Sequence, residues 1–180
     1  GKIAGQDTPV FEGLPNNPTL EDLKALSAAL AASGAVSMFH AIGVTPEAPT
    51  LEAAFGGRTP AKTLVYAEHQ RQEAENALNK EPSDHVDWIL VGCPNASVQE
   101  IREVAEALEG KKVHPDVSLW VTTAGAMYAM ADGMGYIKTI KDAGGVVVRE
   151  TCPFLARSRV IAPSKGYKTL TTNSAKMAFY

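Results

Sequence analysis

The sequence predicts an α/β fold in three layers, a mainly parallel sheet with helices on both faces. Three observations lead there. Strand-like and helix-like segments alternate along the whole chain, the pattern of strands joined by helical crossovers. Two capping boxes, Thr19 to Asp22 and Ser97 to Glu100, each open an apolar stripe at helical spacing. With 180 residues, 45% hydrophobic and 21% charged, the chain can bury a sound core as a single α/β domain over residues 1–180.

Taken in order, Leu20, Leu23, Leu26 and Leu30 line a first helix that Ser33-Gly34 ends. Ala35 to Ala41 (AVSMFHA) reads as the following strand, and a short helical piece lies around Thr50 to Phe55. Thr63 to Ala67 (TLVYA) reads as the next strand, with a polar helix from Glu68 to Asn79. Val86 to Gly92 (VDWILVG) is a further strand, and Cys93-Pro94 should stop it because proline lacks the ladder donor. Behind Ser97, residues Val98, Ile101, Val104, Ala105 and Leu108 form a buried helix face, with Glu100, Glu103, Glu106 and Glu109 largely outside. Val117 to Thr122 is a strand, Ala126 to Lys141 one helix despite Gly133 and Gly135, and Val146 to Glu150 the last good strand. Residues 153–168 read as irregular, followed by a short strand near Lys168 to Thr172 and a helix start at Ser174-Ala175-Lys176.

Composition removes several function classes. A net charge of -3 with scattered lysines and arginines offers no basic groove for nucleic acid and no attraction to anionic membrane. No apolar run approaches the ~18 residues a bilayer span needs, and no secretory signal pattern is visible. Two cysteines make no disulfide framework, and a reducing, cytoplasmic setting fits best, although the pair could bond if the thiols met. The phosphate-loop, dinucleotide-binding, zincin and serine-hydrolase motifs are missing. The opening on Gly1 and the close on a helix barely begun read as a piece of a longer polypeptide.

Chemistry gathers at three places. Cys93 and Cys152 each stand before a proline, just past a hydrophobic strand, at the sheet edge where open α/β folds collect ligands. There two thiolates could converge on one iron or iron–sulfur centre; equally, buried free cysteine packs as a small hydrophobe. The loop from His40 to Glu47 could bring the Thr45 hydroxyl and the Glu47 carboxylate to a ligand, or be a structural turn with His40 as a satisfied core residue. Thr171 to Lys176 sets hydroxyls, an amide and an ammonium before a presumed helix. It reads either as an anion site or as an over-determined N-cap beside a solvated lysine.

Together the blocks Ala28 to Ala48 (with GVTPEA), Val91 to Ser97 (VGCPNAS), Glu150 to Cys152 (ETC) and Thr172 to Tyr180 (TNSAKMAFY) resemble the aconitase X family. The likeness runs over nearly all of the chain in the family's order, matching the C-terminal half of its large catalytic part. It implies an aconitase-like subdomain of a dehydratase that uses an iron or iron–sulfur centre as a Lewis acid, acting on cis-3-hydroxy-L-proline or, alternatively, mevalonate 5-phosphate. It implies Cys93 and Cys152 as metal ligands, and Ser174 and Lys176 in catalysis. His40, Thr45, Glu47, Asn95, Thr172 and Asn173 would lie around the substrate. Asn95 departs from the pattern, since many members carry histidine directly after Gly-Cys-Pro. The resemblance further implies two partners, an N-terminal half bearing another cysteine and a small swivelling domain or subunit, so the isolated piece would be nearly inactive. A non-catalytic α/β scaffold with buried cysteines is the reading from another class.

Overall fold

A computed structural model describes residues 1–15, 17–79, 85–153 and 158–180. The chain divides into two compact units, Gly1–Lys80 with Phe179–Tyr180, and Glu81–Ala178. The sequence predicts a single domain over residues 1–180; the division falls after the polar helix of the first half.

In the first unit, β1 (Val10–Phe11) precedes α1 (Leu20–Gly34). The Thr19 hydroxyl accepts from the Asp22 N–H at 3.1 Å while Asp22 accepts from the Thr19 N–H at 2.8 Å, so the expected capping box is formed. Ala28 and Leu30 are its buried positions. Of the strand expected over 35–41, only β2 (His40–Ala41) enters a ladder, parallel to β1 through Val10↔His40 and Phe11↔Ala41. A ladder extends only as far as its partner, and β1 offers two residues. Thr50 caps α2 (Leu51–Phe55) by accepting from the Ala53 N–H at 3.1 Å. The strand expected over Thr63 to Ala67 pairs with nothing among the described residues; Leu64, Val65 and Tyr66 are exposed ahead of α3 (Glu68–Leu78). Strand propensity without an available edge does not make a strand.

The second unit holds β3 (Trp88–Ala96), α4 (Val98–Leu108), β4 (Ser118–Thr123), α5 (Gly125–Gly133), α6 (Tyr136–Asp142), β5 (Val146–Arg149), α7 (Ser158–Ser164), β6 (Leu170–Thr172) and α8 (Ala175–Phe179). The four strands form one parallel sheet in the order β5-β4-β3-β6. Alternation along the strands sends side chains to two different cores. On one face Val91, Val121 and Val147 meet Ile101, Ala105, Ala131, Ile137 and Ile140 of α4, α5 and α6. On the other, Trp88, Leu90 and Cys93 meet Met177 of α8, with Trp120, Ala162 and Tyr167 packed against them. The predicted parallel sheet with helices on both faces is therefore present.

Two boundaries differ from expectation. The helix expected over 126–141 is broken between α5 and α6, because Gly135 adopts φ 85°, outside the helical basin. Part of the stretch expected to be irregular is helical as α7, and residues 154–157 lie outside the described residues. No helix among the described residues is long and apolar enough to cross a membrane.

Candidate active site

The centre of the site is a distortion in β3. Val91 pairs with Val121 and the ladder resumes at Ala96↔Thr123, so β3 spends Gly92 to Asn95 where β4 spends only Thr122. Cys93-Pro94 therefore does not end the strand, as the sequence suggested; the extra residues bow out of the ladder as a bulge and pairing closes again behind them. Gly92 has φ 97°, and a Cβ there would overlap the Thr122 carbonyl oxygen, so only glycine enters this bulge unstrained. The Cys93–Pro94 peptide is cis. Thr122 Oγ1 donates to the Gly92 carbonyl at 2.5 Å and Thr123 Oγ1 to the Ala96 carbonyl at 2.7 Å, tying both ends of the bulge to β4. Sequence reading passed over both threonines. Their one signal was a pair of polar residues at the end of a strand that otherwise reads as buried.

Just before this bulge β3 pairs with β6 through Trp88 to Leu90, and a second set of polar contacts delivers β6 there. Asp87 Oδ2 accepts from the Lys168 N–H at 2.7 Å, the Thr169 N–H at 2.9 Å and the Thr169 hydroxyl at 3.0 Å. These backbone donors hold the Asp87 carboxyl far below the ordinary carboxylate range. Beyond β6 the chain turns at Thr172, whose hydroxyl accepts from the Ser174 N–H at 3.2 Å. Ser174, buried, then caps α8 by accepting from the Met177 N–H at 3.1 Å, and donates its own proton to the Cys93 carbonyl. A hydroxyl has one donor, and here it is engaged by the backbone of Cys93.

The two thiols are within electrostatic reach of each other. Burial pushes the Cys93 thiol up; the Lys176 ammonium acts in the opposite sense, and the Cys152 charge adds to the rise. Cys93 is buried and Cys152 half-buried, and neither is in a disulfide. Their strands are not adjacent: β4 lies between β3, which carries Cys93, and β5, which leads to Cys152. Thiols are soft donors of the kind that suits thiolate-bound iron, and the Lys176 ammonium favours the thiolate form of Cys93. Among the described residues no group of three or more His, Cys, Asp or Glu side chains is arranged to hold a metal.

Of the remaining predicted residues, Asn95 is exposed on the bulge, Asn173 is exposed, Thr172 is half-buried at the end of β6, and Lys176 is half-buried in α8. Cys93, Asn95, Cys152, Thr172, Asn173, Ser174 and Lys176 thus belong to the second unit. His40, Thr45 and Glu47 belong to the first. There Thr45 folds its own loop: its hydroxyl accepts from the Ala41 N–H at 3.1 Å and lies 3.2 Å from the Ala41 carbonyl. Glu47 is exposed, while His40 Nδ1 is buried without a hydrogen-bond partner among the described residues. That orphaned nitrogen does not fit the satisfied core histidine of the structural reading.

Comparison with known proteins decides the family. The model described as Aconitase X second domain matches residues 1–76, and that described as Aconitase X third domain matches residues 86–180. The chain belongs to the aconitase X family. The change from second to third domain falls where the two compact units divide. The chain is 36% identical over its whole length to a cis-3-hydroxy-L-proline dehydratase of Pseudomonas aeruginosa, spanning 31% of that protein. It is 39% identical, again over its whole length, to a phosphomevalonate dehydratase large subunit of Methanocaldococcus jannaschii, spanning 42% of it. The holo-form crystal structure of Thermococcus kodakaraensis aconitase X superposes with a TM-score of 0.76 at 30% identity, over 99% of this chain and 43% of that one. The chain therefore covers less than half the length of these aconitase X relatives.

Proposed function

We propose that this aconitase X chain is the part of a hydro-lyase that supplies two iron-ligating thiolates and an anion-binding lysine. The favoured substrate is cis-3-hydroxy-L-proline. The observation that carries the reading is the junction at Cys93. The Ser174 hydroxyl is fastened to its carbonyl, and the charges of Lys176 and Cys152 both act on its thiol. Residues far apart in sequence act on Cys93 of the GCP block there: Ser174 and Lys176 of the TNSAK block and Cys152 of the ETC block.

Cys93 and Cys152 would hold an iron or iron–sulfur centre, whose chemistry when bound is Lewis-acid assistance to loss of a hydroxyl group. Lys176 would orient the substrate carboxylate as a point charge. Ser174 would position Cys93 and α8; it can move a proton only by releasing the Cys93 carbonyl. Thr172, Asn173 and Asn95 would line the approach. Further ligands and closure would come from an N-terminal part and a small swivelling domain or subunit, in a reducing, cytoplasmic setting. Alone, the 180-residue chain would turn over neither substrate.

A second reading has its own support. Phosphomevalonate dehydratase large subunits match at 39% and 40% identity, so mevalonate 5-phosphate is the alternative substrate. The test is an assay of the complete assembly on both substrates side by side, together with anaerobic reconstitution with iron and sulfide. Visible absorption should appear and be lost in Cys93→Ser and Cys152→Ser. Turnover of neither substrate, with no colour and no change in stability in either variant, would leave a non-catalytic scaffold.

A further inference from the structure

We infer that the segment Thr122 to Gly125, where β4 runs into α5, is the positioning element for both cysteine loops, although it offers no iron ligand itself. The inference rests on reading Cys93 and Cys152 as ligands of one centre, and it adds what fixes their relative placement. β4 lies between β3, which carries Cys93, and β5, which leads to Cys152, so its end can reach both loops.

On the Cys93 side, Thr122 Oγ1 donates to Gly92 at 2.5 Å and Thr123 Oγ1 to Ala96 at 2.7 Å. These two bonds close the gap that the bulge opens in the ladder. Both threonines are fully buried, so each hydroxyl is there for its one bond and not for solvent.

On the Cys152 side the contacts run through Glu150. Its N–H donates to the Thr123 carbonyl at 3.1 Å, and its Oε1 accepts from the Gly125 N–H at the start of α5. Glu150 has φ 54°, a conformation that a residue with a side chain keeps only when its surroundings hold it there. A Cβ on Gly125 would take the place of Glu150 Oε1, so the carboxylate at the end of that exposed side chain would have to swing off the helix start. Thr123 thus serves both sides, its hydroxyl bonded toward one cysteine loop and its carbonyl toward the other.

The experiment uses the complete protein with Thr122→Val, Thr123→Val, Gly125→Ala and the conservative Thr122→Ser. In iron-free protein, Cys93 and Cys152 are alkylated with iodoacetamide for limited times and quantified as separate peptides. Losing one buried hydrogen bond from the bulge should raise Cys93 labelling about fivefold in Thr122→Val, with Thr122→Ser close to wild type. Gly125→Ala should raise labelling at Cys152 instead. After anaerobic addition of iron and sulfide, the valine and alanine variants should retain less iron and show an altered visible spectrum. Unchanged labelling at both cysteines, or equal increases at both that merely follow a lowered melting temperature, would overturn the inference. Wild-type protein that takes up no iron would remove the functional reading while the labelling still decides whether the bracket exists.

Discussion

The Ser174 hydroxyl donates to the carbonyl oxygen of Cys93 across 81 positions of sequence, and accepts the Met177 N–H at 3.1 Å. One buried side chain thereby caps α8 and fastens it to the bulge that carries a predicted ligand. Ser174→Ala would leave a buried carbonyl and a helix N–H unpaired, which costs roughly 2–3 kcal/mol. Urea unfolding should show that loss, and Ser174→Thr, which keeps the hydroxyl, should recover most of it. A loss below about 0.5 kcal/mol, the range of ordinary surface substitutions, would mean that the hydroxyl does not bridge the two segments.

Gly92 presents a sharper case. Its φ of 97° lies where a Cβ is strained, and the Thr122 carbonyl occupies the space the Cβ would need. Gly92→Ala should destabilise by about 3 kcal/mol, from backbone strain combined with loss of the tight approach to β4. Gly110→Ala is the control: it also sits at positive φ but has open space around it, so it should cost clearly less. Equal losses in the two variants, measured by denaturant unfolding, would remove the close approach as a cause.

How much of this was legible in the sequence follows from what local pattern encodes. The capping boxes at Thr19 and Ser97 were read correctly because their signal is contained within four residues. The β3, β4, β5 and β6 strands were placed to within a few residues for the same reason, since each carries its own hydrophobic run. Thr63 to Ala67 misled because strand propensity says nothing about whether an edge is waiting. The continuation of β3 past Pro94 was also invisible. It depends on hydroxyls of Thr122 and Thr123 that lie some thirty residues away, and no local rule couples those positions. That Cys93 and Cys152 could share one centre follows from their places just past two strands, with buried packing left open as the alternative, and family likeness added the assignment of both as ligands with Lys176 in catalysis. Spacing alone gave two strand ends, and the sheet order that inserts β4 between them is not written in either.

Asp87 links pH to the delivery of β6. Its carboxylate accepts from the backbone N–H groups of Lys168 and Thr169 and from the Thr169 hydroxyl, and its folded pKa lies well below the ordinary 3.8. A depressed carboxylate contributes its stability in full above the unfolded value and loses it as pH falls below that value. Asp87→Asn should therefore be less stable than wild type at pH 7, with the difference shrinking between about pH 5 and pH 2. Thermal melting of both proteins across that range measures it. A difference that stays constant with pH would show that charge on Asp87 is not what holds the strand.

Lys176 and Cys152 should move the Cys93 thiol in opposite directions. Burial raises its pKa most; the Lys176 ammonium opposes that rise, and the Cys152 charge adds to it. Only the thiolate reacts with alkylating reagents, so the pH dependence of Cys93 labelling in iron-free protein reports its pKa. In Lys176→Met the labelling curve should shift to higher pH, because a charge favouring the thiolate has gone. In Cys152→Ser it should shift to lower pH, because a repelling charge has gone. Lys176→Arg should stay near wild type, since position and sign are kept. Raised salt should shrink these shifts only modestly, because the buried thiol is poorly screened. Shifts of the same sign in Lys176→Met and Cys152→Ser would mean that the two side chains act on Cys93 through packing, and the pairing of the two thiols in one field would have to be abandoned.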